Sequence, residues 1–64
     1  MKRRALVQHL EAHGCTFLRE GANHTVYQHL GNHTHSTIPR HAEINSNLAR
    51  KICKDLGIPL PAGR

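Results

Sequence analysis

Between residues 48 and 58 the chain carries its strongest helical signal. Leu48, Ala49, Ile52, Cys53 and Leu56 recur at offsets of 0, 1, 4, 5 and 8, which puts all five on one face of an α-helix. Asn45 or Ser46 supplies an N-capping oxygen. At the other end Gly57 suits the left-handed stop, Ile58 is placed to fold back on the last turn, and Pro59 prevents continuation. A helix with one apolar face must bury it against a second layer. In 64 residues there is room for one such arrangement and no more, so this helix constrains everything upstream of it.

Upstream, Leu6 and Leu10 lie one turn apart in a basic segment, predicting a first helix over residues 3–13 with Gly14 as its stop. Residues 15–20 are β-rich and predict a strand. Gly21-Ala22-Asn23 reads as a tight turn in which Gly and Asn can take positive φ, and residues 24–29 form a second strand antiparallel to the first. After a turn at Leu30-Gly31-Asn32-His33, residues 34–38 form a third strand ended by Pro39. The expected core is Leu6, Leu10, Phe17, Leu18, Val26, Tyr27, Ile38, Ile44, Leu48, Ile52, Leu56 and Ile58, with Ala5, Val7, Ala49 and Cys53 in support. Both helices need an apolar partner and only one three-stranded sheet is available. They therefore share one face of it, giving a two-layer α+β domain of order α-β-β-β-α with the other sheet face open. The chain reads as a single domain over 1–64, with residues 59–64 as a flexible tail.

Nine Lys and Arg against four Asp and Glu leave a formal charge of +5 before the seven histidines are counted, and a polyanion is the natural partner. No apolar run reaches membrane-spanning length, and no signal-like segment opens the chain. Cys15 and Cys53, 38 positions apart and without a CxxC companion, fit two buried free thiols in a reducing cytosol.

The groups available for chemistry are few. Histidine is the side chain that best exchanges protons near neutral pH, and RNA carries its own nucleophile in the 2′-hydroxyl. A positioned base and nearby cations suffice for cleavage, without metal or cofactor. Of the seven histidines, His24 stands at a turn-to-strand junction, pinned by pairing on one side and by Gly21 and Asn23 on the other. His29, His33 and His35 cluster about the second hairpin, and His9 and His13 lie at i and i+4. Neither set has the spacing of a structural metal site.

Two short motifs connect these residues to a known family. Asn23-His24-Thr25-Val26-Tyr27 matches a Gly-Ser/Asn-His-x-Ile/Val-Tyr signature, and Thr37-Ile38-Pro39-Arg40-His41 matches a Thr-Val/Ile-Pro-Arg-His segment. With the basic first helix ending in Gly14 and the Gly57-Ile58 ending, the chain resembles HicA-type mRNA interferases, toxins of two-protein toxin–antitoxin systems, over essentially its whole length. It departs at one place: the signature glycine position is Ala22, with glycine one residue earlier at 21. The resemblance implies a fold like the double-stranded-RNA-binding domain, RNA as substrate, His24 as the catalytic residue acting as general base or acid, and a HicB-like antitoxin that covers the site.

On this reading Arg19, Arg40 and Lys51 stand near the backbone phosphates, with Lys2, Arg3 and Arg4 as a second basic patch. Two alternatives carry different expectations. A non-catalytic RNA-binding module would use His24 structurally or as a phosphate donor, and a zinc-stapled interaction module would use His33 and His35.

Overall fold

The computed structural model describes residues 1–61, and its elements follow one another in the expected order. Helix α1 spans Arg3–Ala12, strand β1 Cys15–Glu20, β2 His24–His29, β3 Thr34–Pro39, and helix α2 Ser46–Leu56. Local chemistry sets the ends. Gly14, at φ +87°, stops α1. Asn45 caps α2, its side-chain oxygen accepting from the Asn47 N–H at 2.8 Å. Gly57 ends α2 in the left-handed conformation, φ +74°, and the Ile58 N–H returns to the Cys53 carbonyl at 3.0 Å. Of the tail expected over 59–64, Pro59 lies with its carbonyl 2.7 Å from His9 Nε2, and residues 62–64 lie outside the described residues.

The strands form an antiparallel sheet in the order β1-β2-β3, a meander with β2 at its centre. The core shows which face the helices cover. Leu6 and Leu10 from α1, Ala49, Ile52, Cys53 and Leu56 from α2, and Cys15, Tyr27 and Ile38 from the sheet belong to one cluster, joined by Ile44 and Ile58. Both helices therefore pack on the face that carries Tyr27, an arrangement compatible with a double-stranded-RNA-binding-domain-like fold. By strand alternation, His24, Val26 and Gln28 point to the other, uncovered face. Cys15 and Cys53 are both buried as free thiols.

Three expected core residues are not in the core. Phe17 and Leu18 are 54% and 42% exposed, and Ala5 is exposed on the outer side of α1. The reason in β1 is twofold. It is an edge strand, so one flank has no neighbour. Its register with β2 also slips, because Phe17 pairs with Tyr27 but Arg19, not Leu18, pairs with Val26. The bulge leaves Leu18 without a partner and returns Arg19 to the open face, with Glu20 on the helix side opposite Thr25. Phe17 keeps the helix side and meets Tyr27 edge to face, ring centroids 6.3 Å apart, at the rim of the layer.

Candidate active site

His24 opens β2, its backbone paired with Pro39 at the end of β3. The preceding turn is closed by the Gly21 N–H, which donates to the His24 carbonyl at 2.7 Å. Positive φ plays no part here: neither Gly21 nor Asn23 adopts it, contrary to what their residue types allow. Glycine serves close approach instead, since a Cβ at position 21 would lie 3.2 Å from the His24 carbonyl oxygen. Ala22 likewise stays out of the left-handed region, so the displaced signature glycine leaves no backbone strain.

A chain of charged hydrogen bonds holds this turn to three other elements. The Arg40 guanidinium donates to the Gly21 carbonyl at 2.8 Å and pairs with the Glu20 carboxylate. Thr25, buried beside them, donates from Oγ1 to both Glu20 oxygens at 3.2 and 3.3 Å. Arg3 of α1 donates from Nη2 to that same Oγ1 at 2.9 Å and from Nε to the Pro39 carbonyl at 3.0 Å. Pro39 is the backbone partner of His24, so α1, both hairpin strands and the end of β3 converge on the mount of one histidine. The His24 side chain is exposed on the open face, and no protein group among the described residues hydrogen-bonds its imidazole. Both ring nitrogens are thus available to a bound molecule.

The other expected site residues fall into four groups. Arg19 stands on the open face with His24: its pairing partner Val26 is two residues from His24 on the same strand. Arg3 and Arg40 are at the His24 end but engaged in the network. Lys2 and Arg4 project at the start of α1, which Arg3 ties to that end, and they share a groove there with Gln8 and Glu11. Lys2 also approaches Glu43 at 4.0 Å. Lys51 is not brought to the site. It lies exposed on α2, in the layer behind the sheet, paired with Asp55 at 3.0 Å. Among the described residues no three His, Cys, Asp or Glu side chains are arranged to share a metal ion.

Glu20 and Thr25 belong to the network that holds the His24 turn, and residue-by-residue reading passes over both. Thr25 sits inside the motif, directly after His24. Glu20 shares its face only because of the bulge, which the alternation of β1 does not disclose.

No helix among the described residues is long and apolar enough to cross a membrane. Comparison with the curated proteins and with the solved structures gives no match. A family model does match, covering residues 3–58, from the first residue of α1 to the Ile58 that folds back over α2, and including both motifs. Its description is the HicA toxin of bacterial toxin–antitoxin systems, and the chain belongs to that family.

Proposed function

We propose that the protein is a metal-independent endoribonuclease toxin that cleaves mRNA in the cytoplasm, with His24 as general base or acid. The observation that carries this reading is an exposed imidazole, bonded to no protein group among the described residues, on a mount fixed from four elements. In the reaction the 2′-oxygen of RNA attacks the adjacent phosphorus, the P–O5′ bond breaks, and the products are a 2′,3′-cyclic phosphate and a 5′-hydroxyl. His24 as base removes the 2′-hydroxyl proton; as acid it protonates the departing 5′-oxygen. Arg19, on the same face, stabilises the charge gathering on the phosphoryl oxygens, and Lys2 and Arg4 hold flanking phosphates. A HicB-like antitoxin neutralises the toxin by covering the His24 face and denying it phosphate.

Replacement of His24 by Ala tests the assignment. Cleavage should fall about 10²- to 10⁴-fold, while the urea midpoint barely moves, because the side chain is exposed. EDTA should leave the wild-type rate unchanged. A folded His24→Ala protein that still cuts RNA and arrests growth would return the chain to the role of a non-catalytic RNA-binding module.

A further inference from the structure

The open face of the sheet has a second end, remote from His24, which the proposed reaction leaves unused. There a groove of about 260 Å³ runs between the β1 bulge and the β2–β3 loop, its lining including Leu18, Gln28, His29, Leu30, His33 and His35. Leu18, next to helix-side Phe17 and left unpaired by the bulge, lines this face, and Gln28 and His35 are direct cross-strand partners on it. Leu18 and Leu30 are 42% and 64% exposed and form apolar walls.

The loop that supplies Leu30 and His33 is fixed from below. Asn32 Nδ2 donates to the carbonyls of Leu56 and Gly57 at 2.9 and 3.2 Å, the Asn32 N–H donates to His29 Nδ1 at 3.1 Å, and His33 sits at φ +55°. A histidine in that region is held there by its surroundings.

The lining selects its ligand. None of the four carboxylates, Glu11, Glu20, Glu43 and Asp55, borders the groove, so nothing in it repels an anion. Leucine walls accept the face of a flat ring, the Gln28 carboxamide offers a donor and an acceptor to a base edge, and imidazoles stack or donate to phosphate. The volume falls below the range of about 300–1,000 Å³ typical of drug-sized ligands and suits a single nucleotide. Gln28 lies four residues from His24 on the same strand and face. That is about 13 Å at roughly 3.3 Å per residue, or about four nucleotides of stacked strand at roughly 3.4 Å each.

We infer that this groove is a base-binding subsite. It holds one unpaired nucleotide of the RNA whose scissile bond lies at His24, and so directs the toxin to single-stranded segments. The inference rests on the RNA-cleaving reading of His24.

The test uses the full chain carrying His24→Ala, so that RNA stays intact, and a single-stranded RNA of about ten nucleotides. The same RNA is also made with an abasic site at each position in turn. One abasic position should weaken binding about tenfold, as loss of one stacked base does. Adding Leu18→Ala, Gln28→Ala and His35→Ala should weaken the intact RNA by a similar factor and abolish the abasic penalty. A flat abasic scan, or a penalty that survives the three substitutions, overturns the subsite. It also falls if the variants bind RNA as before but no longer bind a co-expressed antitoxin, since the groove would then be a protein-docking surface. A wild-type chain that cuts RNA while groove variants bind it undiminished removes this inference alone. A wild-type chain that neither binds nor cuts RNA removes the enzymatic reading with it.

Discussion

The two hairpin turns of the sheet are held in place by opposite kinds of chemistry. The β1–β2 turn, which delivers His24, is fastened by charges: Arg40 to Glu20 and the Gly21 carbonyl, and Arg3 through Thr25 to the same carboxylate. The β2–β3 turn is fastened by neutral groups. Asn32 and the Thr34 hydroxyl, the latter at 3.1 Å, donate to the last carbonyls of α2, which a helix end leaves without intrahelical partners. The neutral clamp joins hairpin to helix and serves stability. The charged one lies at the surface, where ion pairs add little stability but fix geometry. The difference separates the end of the molecule that braces the fold from the end that orients the exposed His24.

The largest effect on stability is therefore expected at the neutral end. Gly57→Ala forces a Cβ to within 2.7 Å of Asn32 Nδ2 at a φ of +74°. Together, strain and displacement should cost about 2 kcal/mol, read as a lowered urea midpoint. At saturating RNA the cleavage rate per folded molecule should stay at the wild-type level, and any loss should appear as weaker RNA binding, because the displaced loop lines the groove. Asn32→Ala removes both clamp bonds without strain and, with the carbonyls near solvent, should cost about 1 kcal/mol. A midpoint unchanged by both would show that the loop does not brace α2.

The contrast between the ends was only partly legible from the residues. Helix and strand limits were, because they depend on local chemistry: the 48–56 period, Gly14, Gly57 and Pro39 each act within one turn of themselves. That His24 opens the second strand was legible from the turn residues before it. The bulge was not, since Cys15 to Glu20 contains no glycine to mark it, and apolar character alone placed both Phe17 and Leu18 in the core although neighbours on a strand face opposite ways. Arg3 and Arg40 looked like free cations for the same reason. Their partners Thr25, Glu20 and the Pro39 and Gly21 carbonyls are up to 36 positions away, joined only once the sheet has formed. Lys51 shared their residue type but stands on the other layer, a matter of topology rather than composition.

At the charged end the order of effects should reverse, with activity more sensitive than stability. Glu20 and Arg40 are about half exposed, so Glu20→Gln or Arg40→Ala should cost no more than about 1 kcal/mol, less as salt is raised. Loosening the turn should nonetheless slow cleavage by about 10- to 100-fold, the usual penalty for a displaced catalytic group. The fall should appear in kcat rather than in RNA affinity. Cleavage at the wild-type rate in both variants would mean that the Gly21–His24 hydrogen bond alone positions the imidazole.

The smallest expected effect concerns pH, and it too divides the ends. Cys15 pairs with His29 in the sheet, and Cys53 lies in the last turn of α2, so both thiols belong to the neutral end. Burial raises each above the ordinary thiol value of 9.0, with Cys15 adding a lesser upward push on Cys53. A thiol raised on folding keeps its proton in the native state when the unfolded chain has begun to lose it. Stability is then unaffected below the unfolded value and falls as pH rises through 9.0 toward the higher folded value. Burial raises Tyr27 from 10.0 as well, and its contribution has the same sign at still higher pH. The urea midpoint should therefore hold steady from neutral pH to about 9 and decline above it. Salt should change the thiol part of this decline little, since its main cause is burial rather than a surface charge pair. A thiol reagent should label the native protein slowly at neutral pH and rapidly once urea unfolds it. Fast labelling of both cysteines in the folded chain would show that the neutral end opens as readily as the charged one, and the division between the two turns would collapse.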